Sequence, residues 1–119
     1  MDQTTNSSNL LPRGVRRALE AMRADVGREW SLADLAAVAG QSGRTLQRQF
    51  RSFLGKTPGA TLRDLRFEHA RREFLIGLPD VKITDVALHA GFAHFGRFAV
   101  EYRRRYGETP SQTRRRQAI

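Results

Sequence analysis

The segment Leu32-Ala-Asp-Leu-Ala-Ala-Val-Ala-Gly40 returns 51 residues later as Ile83-Thr-Asp-Val-Ala-Leu-His-Ala-Gly91. Beyond the glycine the offset becomes 52, so that Leu46, Phe50, Arg51, Gly55, Thr57 and Pro58 match Phe98, Tyr102, Arg103, Gly107, Thr109 and Pro110. A chain that repeats itself at this period must build one supersecondary unit twice. Each copy predicts a short helix, a tight turn at glycine, and a second helix closed by a Gly-x-Thr-Pro stop. Ala36 and Ala87 sit in mid-helix, where a small side chain lets another helix cross closely. Gly40 and Gly91 supply the left-handed turn conformation. A small residue, then glycine four positions on, then an amphipathic helix is the helix-turn-helix pattern.

The two copies differ in detail. Ser31 and Asp34 form a serine cap with an acid three residues on, whereas Lys82 stands where Ser31 stands and predicts a weaker start. At 100° per residue, Leu46, Phe50 and Phe53 form the expected buried stripe of the first unit's second helix. Arg44, Gln47, Arg48 and Arg51 gather on its opposite face, in a stretch with no acid between Asp34 and Asp64. An ordinary solvated face would mix acids with bases. In the second unit Phe98 and Tyr102 carry the stripe with Phe95 at its edge, leaving Gly96, Val100 and Arg103 outward and Arg97 with Arg104 flanking. That face predicts weaker sequence reading.

Charge agrees with this placement. The 119 residues hold 21 Lys plus Arg against 12 Asp plus Glu, a formal charge of +9, and only Lys56 and Lys82 among the cations are not arginine. Arginine's planar fork suits bidentate contact with phosphate and guanine. Zero cysteine excludes disulfide frameworks, cysteine-ligated zinc and thiol nucleophiles. His89 and His94 straddle a turn rather than sharing a helix face as zinc-binding pairs do, so no metal and no cofactor is expected. No apolar run approaches a membrane span of about 18 residues, and the start, Met1 to Pro12, has neither the basic region nor the apolar stretch of a signal peptide. A cytoplasmic protein is expected.

The remaining segments predict helices too. Val15, Leu19, Met22 and Val26 space an amphipathic first helix begun near Pro12 and ended at Gly27. Pro58, followed by Leu62, Leu65, His69, Ala70 and Phe74, predicts a linker helix over about 59–75. Gly77 and Pro79 break the chain before the second unit. The expected fold is all-α: two helix-turn-helix subdomains, about 31–54 and 82–106, joined by a long linker helix, with six to seven helices in all.

At this point the chain resembles the DNA-binding domain of AraC/XylS-type transcription regulators. The similarity runs from about Leu11 to Arg116, a domain of residues 11–116 behind a polar leader, 1–10, and before a short tail, 117–119. Its most specific stretch is Ala90-Gly-Phe-Ala-His-Phe-Gly-Arg-Phe98, followed by Tyr102-Arg-Arg-Arg-Tyr-Gly-Glu-Thr-Pro-Ser111. The resemblance implies that two recognition helices enter successive major-groove segments of double-stranded DNA, about 34 Å apart, with one domain copy on an asymmetric bipartite site. The positions matching the family's base contacts are Arg44, Gln47 and Arg48 in the first helix and Gly96, Arg97 and Val100 in the second. Gly96 departs from members with a polar residue there, so Arg97 carries most of the second helix's readout. Phosphate contacts are expected from Arg51, Arg103 and Arg104, and the Arg114-Arg115-Arg116 run adds to them as a flexible tail or is simply solvated. RNA polymerase is an expected partner and a nucleoid location follows. Family members commonly carry a separate effector-sensing or dimerisation domain. The leader reads as linker, so the chain is expected to belong to a longer regulator that dimerises, where it does, through that other domain.

Other residues have plainer readings. His69 falls on the linker-helix stripe and is expected to be packed. Trp30, Phe50, Phe53, Phe67 and Phe74 are expected in the core, and His94 lies near the start of the second recognition helix, within reach of DNA. No nucleophile, acid-base pair or metal constellation suggests an enzyme. Two competing readings keep the fold but change the role. One is a protein-interaction module, favoured by the weak second face and the acids Asp64, Glu68, Glu73, Asp80 and Asp85. The other is a nucleic-acid binder driven by charge alone, without sequence preference.

Overall fold

The computed structural model describes residues 10–77 and 80–117. The polar leader to residue 9, the expected break at Pro79 and residues 118 and 119 lie outside the described residues. Seven helices and no strand occur among the described residues: α1 (Arg13–Ala24), α2 (Leu32–Ala39), α3 (Gly43–Leu54), α4 (Pro58–Ile76), α5 (Ile83–His89), α6 (Phe95–Tyr106) and α7 (Pro110–Gln117). The chain divides into two compact units, residues 1–63 and 64–119, and the boundary falls inside α4.

In the first unit α1 packs on α2 and α3. Val15, Ala18, Leu19 and Met22 bury one face of α1, as their spacing requires. The helix ends at Ala24, three residues before Gly27, because the chain departs at Asp25 (φ −147°). The Asp25 carbonyl, freed from the helix, accepts the indole N–H of Trp30 at 2.9 Å. Val26 remains buried although it lies beyond the helix. Helix α2 begins with the reciprocal cap expected of its sequence. The Asp34 backbone N–H donates to Ser31 Oγ (3.0 Å), and the Ser31 N–H donates to Asp34 Oδ2 (3.1 Å). Leu35, Ala36 and Ala39 face inward, and Gly40 turns the chain at φ +71°.

The second unit is built from aromatic rings. Phe67, Phe74, Phe92, Phe98 and Tyr102 form its core with Ala70, Val86, Ala87 and Ala90, and Ile83, Phe95 and Tyr106 pack against it. Phe98 is the hub, with ring centroids 5.4 Å from Phe67, 4.6 Å from Phe92 and 5.6 Å from Tyr102. Pairs at these separations add to the burial of the rings themselves. Gly91 turns this unit's corner at φ +103°. At α5, Lys82 gives no side-chain cap, as its chemistry dictates.

The repeat extends further than the helix-turn-helix. Val15, Ala18 and Met22 of α1 stand 52 residues before Phe67, Ala70 and Phe74 of α4, and all six are buried. Thr57, Pro58 and Thr61 at the start of α4 stand 52 before Thr109, Pro110 and Thr113 of α7. Thr57 and Thr109 cap those starts alike, accepting from the N–H of Ala60 and Gln112, each at 3.1 Å. Each unit is therefore a leading helix, a helix-turn-helix and a closing helix. One long helix, α4, closes the first unit and leads the second.

Helix α7 corrects one expectation: Arg114, Arg115 and Arg116 lie on a helix rather than on a flexible tail. Its anchor is Thr113, which is fully buried. The Thr113 hydroxyl donates to Glu108 Oε2 at 2.5 Å. A hydroxyl has one proton, so the Tyr102 O–H, 2.8 Å away, is the donor to Thr113. Burial raises the Tyr102 phenol above its ordinary value, which keeps that proton in place. Arg116 adds an ion pair to Glu108 at 3.2 Å.

Two predictions follow from these anchors. Replacing Thr113 with Val leaves the buried Tyr102 hydroxyl without a partner and costs about 1–3 kcal/mol. Adding Tyr102→Phe, the residue type at the matching position 50, recovers much of that loss, and a double-mutant unfolding cycle measures the coupling. The backbone N–H of Ser31 and then its side chain hold the Asp34 carboxyl below the usual carboxylate range. A depressed acid contributes stability above its unfolded pKa of about 3.9 and loses it as pH falls. The wild-type melting temperature should therefore exceed that of Asp34→Asn at neutral pH, and the difference should close as the pH is lowered through the carboxylate range.

Candidate nucleic-acid interface

Helix α3 buries Leu46 and Phe50 completely. This fixes the rotation of the helix and turns Arg44, Gln47, Arg48 and Arg51 to solvent, where all four are exposed. The stripe is narrower than the sequence spacing suggests, for Phe53 is 53% exposed. Position i+7 lies about two turns beyond Leu46 and next to the last residue of the helix, where the side chain is only partly covered. The start of α3 is well fixed. Ser42 Oγ accepts the Thr45 backbone N–H at 3.2 Å and donates to the Thr45 hydroxyl at 3.0 Å.

Helix α6 buries Phe98 and Tyr102 in the same manner. Gly96, Arg97, Val100, Arg103 and Arg104 are exposed, with Val100 at 56%. No atom lies within 4 Å of the place where a Cβ on Gly96 would sit. The N-cap is His94, exposed and without a side-chain hydrogen bond to the helix, so α6 begins less firmly than α3.

Pairing separates the arginines into two groups. Arg105 is tied down: its guanidinium bonds Asp64 Oδ1 at 2.8 Å and Glu101 Oε2 at 3.2 Å, and lies 4.3 Å from the centre of the Phe67 ring. Arg28 bridges Asp34 and stacks on Trp30, while Arg71 stacks on Tyr106. By contrast, none of Arg44, Arg48, Arg51, Arg97, Arg103 or Arg104 makes an ion pair or side-chain hydrogen bond with another described residue. The six arginines singled out on the two helix faces are thus all left unneutralised, as are others away from those faces such as Arg17, Arg23 and Arg72. Arg105 directly follows Arg103 and Arg104 in sequence yet belongs to the internal framework. Its contact with Asp64 spans 41 residues, so only the fold could reveal it.

Trp30 also departs from its expected core position. It is half-buried, with Arg28 4.0 Å above its ring, and it borders an open cleft of about 320 Å³ with Leu32, Leu35, Gln47, Thr57, Pro58, Gly59 and Leu62. Its indole N–H is consumed by the Asp25 carbonyl, which holds the ring at the edge of the unit. His69 is half-buried 3.9 Å from Glu73, in line with a packed residue. Among the described residues no three His, Asp or Glu side chains gather as a metal site, and no helix is long and apolar enough to cross a membrane.

With this geometry in place, comparison with known proteins is direct. A family described as a helix-turn-helix domain matches residues 35–116. The chain is 36% identical over 117 residues to the XylDLEGF operon transcriptional activator 2 of Pseudomonas putida, covering 92% of this chain and 74% of that protein. It spans only 31% of the length of other curated relatives. Among solved structures, a probable AraC family transcriptional regulator from Rhodopseudomonas palustris superposes with a TM-score of 0.79 at 32% identity, covering 89% of this chain and 98% of that one. The DNA-binding domain of AdpA, solved in complex with a target DNA, gives a TM-score of 0.72 at 27% identity over 87% of this chain and 91% of that one. Seven helices, a doubled helix-turn-helix and these likenesses together place the chain in the AraC family of transcription regulators, which are not enzymes, as a DNA-binding domain of that family.

Proposed function

We infer that the chain binds double-stranded DNA in a sequence-specific manner, reading an asymmetric bipartite site through α3 and α6 as a single copy of the domain. The observation that carries this reading is the set of unpaired arginines on the exposed faces of both helices. An unneutralised guanidinium is free to replace counterions on a phosphate backbone or to meet a base edge. Support comes also from the relative solved with its target DNA and from the presence of two similar units in one chain, each with one such helix.

In this reading the side chains divide by chemistry. Arg44 and Arg48 present both arms of a guanidinium to guanine O6 and N7, and Gln47 pairs with adenine N6 and N7. On α6, Arg97 supplies most of the readout. Val100 offers apolar contact to a thymine methyl, and Gly96 lets the DNA approach the backbone closely. Arg51, Arg103 and Arg104 meet phosphates and set the register without reading sequence. Residues 11–116 act as the DNA-binding domain, RNA polymerase is the protein partner that a regulator of this kind engages, and the site of action is the cytoplasm, at the nucleoid.

A competition binding assay separates these roles. Arg48→Ala should cost about 1–3 kcal/mol on the preferred duplex and relax preference at one base pair. Arg103→Ala should weaken specific and random duplexes alike and reduce the slope of log affinity against log salt by about 1. Equal losses on both duplexes from Arg48→Ala would remove α3 from base reading. Absence of salt-dependent binding to any duplex would favour a protein-interaction module instead.

A further inference from the structure

The corner between α2 and α3 contains a polar contact that the DNA-facing residues do not explain. Gln41, in the turn, donates from Nε2 to Oε1 of Gln49 on α3 at 2.8 Å, and both side chains are half-buried. The amide of Gln41 lies flat against α1 at Gly14. A Cβ on Gly14 would sit 2.6 Å from Gln41 Nε2, 2.7 Å from its Cδ and 3.0 Å from its Oε1. Gly14 is a buried residue in the first turn of α1. Its lack of a side chain makes the seat that the amide occupies.

The second unit solves the same corner differently. The backbone N–H groups of Gln41 and Phe92 reach back to Ala36 O and Ala87 O at 3.2 and 3.0 Å, so the two residues occupy equivalent places. Where Gln41 places an amide, Phe92 wedges a ring between Phe67 and Phe98, each centroid 4.6 Å away. Where Gly14 leaves a gap, Arg66 fills space against Gly91. An apolar wedge gains from burial in any orientation, whereas a hydrogen bond is directional and weakens steeply as its angle departs from linear. The directional device is found in the unit whose exposed helix face is richer in base-reading side chains.

We propose that the Gln41–Gln49 amide pair, seated on Gly14, fixes the orientation of α3 and thereby positions Arg44, Gln47 and Arg48 for base reading. Gly14, Gln41 and Gln49 are positioning residues: they set where the α3 face points and touch no base. This inference rests on α3 being the base-reading helix of the first unit. The Gln41 side chain is flexible at its far end, so a methyl at position 14 displaces the amide and breaks its bond to Gln49 while leaving the packed core intact.

The test uses the 119-residue chain, with a preferred duplex selected from a random pool and a random duplex as competitor. Gly14→Ala puts a better helix former in the first turn of α1, which offsets much of the lost hydrogen bond, so the melting temperature should change little. The ratio of specific to random affinity should nevertheless fall about three- to tenfold, the weight of one neutral hydrogen bond. Gln49→Leu, at a half-buried position, should lower the ratio similarly, whereas Gln49→Glu, which keeps the acceptor, should retain it even as its charge weakens both duplexes. A ratio unchanged in both Gly14→Ala and Gln49→Leu, with Arg48→Ala still lowering it, overturns the inference alone. A wild-type chain with no preferred duplex overturns the reading on which it rests, and the inference with it.

Discussion

Burying Phe50 fixes the rotation of α3 about its own axis, and burying Phe98 with Tyr102 does the same for α6. Most of what these helices present to solvent depends on that constraint. Once Leu46 and Phe50 face inward at zero exposure, the 100° step per residue leaves positions 44, 47, 48 and 51 no other side. The corner glycines then set where each helix leaves its partner. Gly40 and Gly91 adopt positive φ, a conformation that a side chain resists. The packed stripe and the exposed face are in this sense one property seen from two sides of a helix.

The electrostatics follow from the same geometry. A charge of +9 could have been spread over the surface and answered locally by acids. Instead, Asp64 and Glu101 are committed to Arg105, Glu108 to Arg116 and Asp34 to Arg28. These acids tie down cations of the framework, and the outward faces of α3 and α6 are among the surfaces that keep theirs. The two units also differ in construction. The first relies on aliphatic packing, a reciprocal serine cap and an amide pair, and the second on a cluster of rings and an ionic clasp. They share a plan, down to threonines at positions 57 and 109, without sharing the means.

Much of this was legible in the sequence because it is local or repeated. The repeat located both helix-turn-helix corners, and the spacing of Leu46 and Phe50, and of Phe98 and Tyr102, located both exposed faces. Family resemblance added the role proposed for those faces. What escaped was decided by tertiary neighbours. Phe53 continues the apolar period of α3 but is only partly covered near the helix end. Trp30 is held at an edge by the Asp25 carbonyl. The Arg114-Arg115-Arg116 run gave the composition of a solvated tail, although Thr113, matching Thr61 across the repeat, was the one signal there of a buried helix. The Gln41–Gln49 contact left no trace, since neither residue type nor spacing marks an amide pair across a turn.

The central claim is that two unneutralised helix faces of unequal strength read one asymmetric DNA site. Selecting bound duplexes from a random pool with the 119-residue chain, then sequencing them, tests it most directly. The account predicts one enriched motif with two separated blocks, the sharper block containing the guanine and adenine positions suited to Arg44, Arg48 and Gln47. A pool that binds with steep salt dependence yet shows no enriched sequence would contradict it, and would reduce the arginine faces to general phosphate binding.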